Sequence, residues 1–143
     1  MIRHIRAAAM AILAGLALIG SCNAGAHDAT GHGPALYIIS PADEAVVTSP
    51  VTIRFGLRGM GVAPAGVAKS GTGHHHLIID ADLPDLNEPI PKDDHYRHFG
   101  GGQTEATLEL APGKHTLQLI LGDHNHIPHT PPLISQPITV SVK

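Results

Sequence analysis

The sequence predicts an all-β domain, an immunoglobulin-like β-sandwich, and three observations predict it. After the first stretch of the chain no segment carries a helical apolar period. Short runs alternate apolar and polar residues instead, as half-buried strands do. Sixteen glycines and twelve prolines break the 143 residues into many short pieces, which suits strands joined by turns. Six or seven such strands at turn-separated intervals match a sandwich. A small Greek-key β-barrel is the alternative.

The elements follow in order. Residues 36–39 read as a first strand ended by Ser40-Pro41, and residues 41–47 as a turn leading into a short edge segment. Residues 51–58 alternate cleanly and mark a half-buried strand. Residues 59–73, rich in Gly, Ala and Pro, form a loop. Residues 74–80 are a strand with β-branched Ile78 and Ile79. Residues 81–102 hold Pro84, Pro89, Pro91 and three consecutive glycines, and so long a connection points to function. Residues 104–110 and 114–121 alternate again, joined by Pro112-Gly113. Residues 123–132 are a second polar loop, and residues 134–142 close the domain. With no Trp and only two Phe, the core is expected to be aliphatic.

The N-terminus reads as an export signal. Arg3 and Arg6 precede an uncharged apolar run, residues 7–20, and the A-x-A site Ala24-Gly25-Ala26 follows. The run is short for a bilayer span, which takes about 20 apolar residues. Residues 1–26 are therefore expected to be a signal peptide, residues 27–34 a flexible arm, and residues 35–143 a single domain, periplasmic or secreted. Ile19-Gly20-Ser21-Cys22 also resembles a lipobox, which would leave a lipoprotein anchored through Cys22. Cleavage before His27 would free an amine and an imidazole that together chelate Cu(II). The mature part has no further run fit to cross a membrane. A net charge of −3 without a Lys/Arg cluster gives no reason to expect nucleic acid.

Twelve histidines carry the functional signal. Beyond His4 they gather as His27/His32, His74-His75-His76, His95/His98, His115 and His124/His126/His129. Neutral imidazole is a borderline-soft donor suited to Zn, Cu and Ni. Thiolate sites are excluded because the only cysteine lies at the leader. In a strand, His74 and His76 share one face and His75 takes the other. Because the first set ends in Asp80, that face is expected to lie nearer solvent. Antiparallel pairing of 74–80 with 114–122 would bring His74 and His76 beside Asp123, His124, His126 and His129. The glycines after His98 would let it approach the same cluster. The candidate metal ligands are thus His74, His76, His98, His126, His129 and Asp123, the last as ligand or as a hydrogen-bond acceptor. His115 is expected to be a buried histidine tied to the backbone. The expected partner is a divalent ion, Cu(II) or Zn(II), whose binding weakens as pH falls through about 6.5.

The run Gly73-His74-His75-His76-Leu77-Ile78-Ile79-Asp80, the segment His98-Phe99-Gly100-Gly101-Gly102-Gln103-Thr104-Glu105, Gly113-Lys114-His115-Thr116-Leu117, and His126-Ile127-Pro128-His129 with Pro131-Pro132 together resemble the bacterial family of the domain of unknown function 4399. Phe55 to Gly66 resembles its early loop, so the likeness spans nearly all of residues 40–142. It implies an exported single-domain protein and no known activity. His74, His75, His76, His98, His115, His126 and His129 fall on motif positions, and His95 and His124 do not clearly do so.

No nucleophile elbow, phosphate loop or dinucleotide fingerprint is present. Metal binding or carriage is the reading the residues favour. The alternatives are a structural or interaction domain with hydrogen-bonded histidines, and a metal hydrolase in which Glu105 or Asp123 would act near the ion.

Overall fold

A computed structural model describes residues 33–143, which lie within one compact unit, Gly31–Lys143. The expected signal peptide, the alternative lipobox, His27 and most of the expected arm lie outside the described residues. Among the described residues there are strands and no helix, and hence none long and apolar enough to cross a membrane. The strands are β1 (Ala35–Ser40), β2 (Ala45–Val47), β3 (Val51–Arg58), β4 (Gly61–Val62), β5 (Thr72–Ile79), β6 (Tyr96–His98), β7 (Glu105–Leu108), β8 (Gly113–Gly122) and β9 (Ile138–Val142).

They form two sheets. One runs β1-β3-β7, and the other runs β2-β9-β8-β5 with β4 and β6 sharing the far edge of β5. β4 lies parallel to the start of β5, and β6 lies antiparallel further along, His76 opposite His98. Alternation explains the packing. In β3, Val51, Ile53 and Phe55 point inward while Thr52 and Arg54 stay in water. Leu77 and Ile79 of β5, Leu117, Leu119 and Leu121 of β8, and Val140 and Val142 of β9 meet them in one core. The fold is the immunoglobulin-like sandwich that the strand pattern predicts. Its core is aliphatic apart from Phe55 and Phe99.

Three details differ from the sequence reading. The loop 59–73 contains β4 and the long connection 81–102 contains β6, both too short to show a period. β9 begins at Ile138, because Pro137 has no N–H to donate; Ile134 makes only an isolated bridge to Ile120. Most consequentially, the face of β5 that carries His74, His76 and Ile78 is not near solvent. From Gly73 to Ile79 β5 is buried on both faces. The segments after β5 and after β8 fold across the outer face and pack Ile90, Leu86 and Ile134 against Ile78 and Ile120.

Candidate metal centre

β5 and β8 build the floor of the site. They pair antiparallel, His74 opposite Gly122 and His76 opposite Ile120. His74 and His76 share the outer face by the two-residue period of a strand. β6 then sets His98 directly across from His76. Two glycines make room: a Cβ on Gly122 would stand 3.0 Å from His76 Nε2, and one on Gly100 would collide with the His98 ring. The loop after β8 supplies the fourth imidazole. His126 adopts a left-handed backbone, φ 69°, a conformation that costs a non-glycine residue of order 1 kcal/mol and that its surroundings must enforce. Asp123 enforces it: its Oδ1 accepts from the N–H groups of Asn125 and Ile127, at 2.8 and 2.9 Å, while its backbone C=O accepts from His126 N–H at 3.0 Å. Ile90 N–H donates to the His126 carbonyl at 2.9 Å and fastens the covering segment over the cluster.

The result is a knot of four rings. The centres of His74, His76 and His98 lie 4.8, 5.0 and 5.0 Å apart. His126 stands 4.9, 5.9 and 4.8 Å from the same three. One nitrogen each from His74, His76 and His98 falls within 4.8 Å of the others, and His74 Nε2 lies 3.0 Å from His76 Nε2. His74 Nδ1, His76 Nδ1 and His98 Nε2 are buried without a hydrogen-bond partner. An orphaned buried polar atom costs about 1–3 kcal/mol, so three in one place call for an explanation.

Electrostatics keep these rings neutral. Burial pushes the His74 imidazole down to about 4, helped by His126 and His98 and opposed by the Asp123 carboxylate. Burial, then His74, His98 and His126, push His76 down to about 3. Burial lowers His98 too, followed by His126 and the ammonium of Lys92. At neutral pH the rings of His74, His76 and His98 each offer a lone pair, the state in which imidazole ligates a metal. A cavity of about 300 Å³ opens over His76, His98 and His126, walled by Pro89, Ile90 and Lys92.

Of the expected ligands, His74, His76, His98 and His126 come together, and two do not join them. His129 lies across the sheet: its Nε2 would meet a Cβ on Gly73, beside Leu121, on the face that carries His75. Between the two histidines Pro128 makes an isolated antiparallel bridge to Gly122, and His129 follows it on the inner side. Asp123 spends one oxygen on its turn, and its other oxygen lies 3.9 Å from His124 Nδ1. It positions the loop, within electrostatic reach of His74. The remaining histidines have other tasks. His75 packs on Phe55, ring centres 5.1 Å apart, and its Nδ1 meets the Gln103 carbonyl at 3.1 Å. His95 Nδ1 meets the Ile79 carbonyl at 2.8 Å, and His124 Nε2 meets the Asn125 amide at 3.1 Å. His115 bonds the Ala111 carbonyl, as its backbone-tied reading expects, and also Asp80. Sequence reasoning missed Ile90 and Lys92. A lone isoleucine between Pro89 and Pro91 in a polar segment was the available sign of a buried lid residue.

Comparison with known proteins adds a family and little else. A family model described as Domain of unknown function (DUF4399) matches residues 53–143. No curated protein matches the chain. Among solved structures the chain is similar to Clostridium thermocellum CbhA fibronectin(III)-like modules, at 14% identity and a TM-score of 0.37. That alignment covers 77% of this chain and 45% of the other, so the chain spans less than half of that structure.

Proposed function

The chain belongs to the family of the domain of unknown function 4399, and from that premise we propose that it binds one divalent transition-metal ion and holds or carries it outside the cytoplasm. His74, His76 and His98 are the ligands, and His126 closes the flank. The observation that carries this reading is the convergence of three imidazoles, His74 and His76 buried and His98 half-buried, each offering one nitrogen within 4.8 Å of the others. Export rests on the basic, apolar, small-residue leader that ends at Ala26.

The ring spacing favours zinc(II) over copper(II). Imidazoles on a tetrahedral ion, with metal–nitrogen bonds of about 2.0–2.1 Å, have centres roughly 5 Å apart in every pair. Three ligands of a square-planar ion include one opposite pair, at roughly 6.4 Å. The near-equal spacings of 4.8, 5.0 and 5.0 Å fit the first pattern. Calorimetric titration of the purified domain with zinc(II) and copper(II) tests the proposal. One ion bound per chain and loss of binding in His98→Ala support it. Absence of saturable binding above micromolar affinity overturns it.

A second reading is favoured by the 3.0 Å contact between His74 Nε2 and His76 Nε2. One ring donating N–H to the other would make the pair a structural hydrogen bond. That reading leaves both Nδ1 atoms bare, and it requires His98→Ala to be stable and metal-independent.

A further inference from the structure

We infer that the metal site takes a small anion, a carboxylate or oxyanion, as an external ligand held between the ion and the Lys92 ammonium. This rests on the metal reading above and adds to it the chemistry of the fourth coordination position. The cavity over His76, His98 and His126 is the way in, and its wall carries one charged group, Lys92, beside the apolar Pro89 and Ile90. Among the described residues Lys92 makes no ion pair.

Charge bookkeeping decides the ligand class. Three neutral imidazoles leave a divalent ion with its full charge, and Lys92 adds another. No carboxylate lines the cavity; Asp123, which acts on His74 from outside it, has its Oδ1 occupied by its turn. The ion's charge, uncompensated beside apolar walls, is costly, and the exposed Lys92 adds its positive field at the rim. A bound anion neutralises it and also completes a four-coordinate shell that three protein ligands leave open. The cavity of about 300 Å³ has room for a small anion over the rings. A carboxylate or oxyanion presents two oxygens, one for the ion and one for the ammonium, a charge-assisted contact.

The experiment loads the domain with cobalt(II), whose visible spectrum reports its ligands, and titrates it with sodium azide and with sodium acetate. Perchlorate keeps the ionic strength constant. Both probes are expected to change the spectrum saturably. Lys92→Gln should weaken both by roughly tenfold, and Lys92→Arg should restore most of the affinity. If cobalt(II) does not bind, the metal reading falls and this inference falls with it. If cobalt(II) binds and neither anion changes the spectrum, the anion site alone is overturned. If the anions bind equally well to Lys92→Gln, the ion has an open position but the role given to Lys92 is wrong. A response to azide without one to acetate overturns the carboxylate class.

Discussion

The two ends of the β5–β8 strand pair use the same side chain to opposite effect. At one end His74 and His76 face other imidazoles, and burial together with like neighbours holds them neutral. At the other end His115 sits between two acceptors, Asp80 Oδ2 at 2.6 Å and the Ala111 carbonyl at 2.8 Å. Both ring nitrogens must donate there, which requires the imidazolium. The Asp80 hydrogen bond, then that of Ala111, raises its pKa above the ordinary value. Asp80 is itself held in place: it has a left-handed backbone, φ 53°, and its Oδ1 accepts from Thr116 N–H at 2.7 Å. A histidine count therefore says little by itself. What the two nitrogens face decides whether the ring serves as a metal donor or as a cationic staple.

The largest effects should fall at the cluster. With zinc at about a hundred times its dissociation constant, native-state stability should rise by about 2.7 kcal/mol, a gain of several degrees in Tm. Thermal melts should show that gain vanish in His98→Ala. It should survive in His129→Ala, whose side chain lies across the sheet. Loss of the gain in His129→Ala would mean that the loop supplies a ligand after all.

Next come the glycines that admit the rings. Gly122→Ala places a methyl against His76 Nε2 and His126 Cα. It should destabilise the metal-free domain by about 1–3 kcal/mol through overpacking and lower zinc affinity, as denaturant melts and calorimetry would reveal. Asp123→Ala removes two acceptor contacts from the turn that holds His126. A loss of about 1–2 kcal/mol is expected in the same melts, with His98→Ala remaining the more damaging change for zinc.

The pH profile separates the two ends by sign. For His74 and His76 the folded values lie below the unfolded value of 6.5. The unfolded state then binds protons first, so the stability they permit is complete above pH 6.5 and lost as pH falls toward about 4 and 3. For His115 the folded value is raised. Its contribution is complete below pH 6.5 and lost as pH rises through the folded value. Asp80→Asn should flatten the alkaline limb alone, by about 1 kcal/mol for this partly exposed pair. Metal retention should also outlast the pH near 6.5 expected from free imidazole, because the buried ligands stay unprotonated well below it. Zinc release midway between pH 6 and 7 would contradict that.

Much of this was legible in the chain. Residues 51–58 announce β3 by strict alternation, and the pairing of β5 with β8 follows from sandwich logic, which sets His74 beside Gly122 as expected. What stayed hidden depends on tertiary contacts. β4 and β6 are too short for periodicity and exist because β5 offers them an edge. The burial of His74 and His76 depends on Ile90 and Leu86 folding back, which no local pattern encodes. His126 and His129 look equivalent in the motif, yet His126 joins the outer cluster and His129 lies on the inner side beside Gly73.

X-ray absorption of the zinc-loaded domain tests the central claim most directly. The account predicts three imidazole nitrogens at about 2.0–2.1 Å, with outer-shell scattering from the rings and a fourth light ligand. The imidazole signal should fall in His98→Ala. A first shell of oxygen alone, or the same imidazole count in His98→Ala, would contradict it.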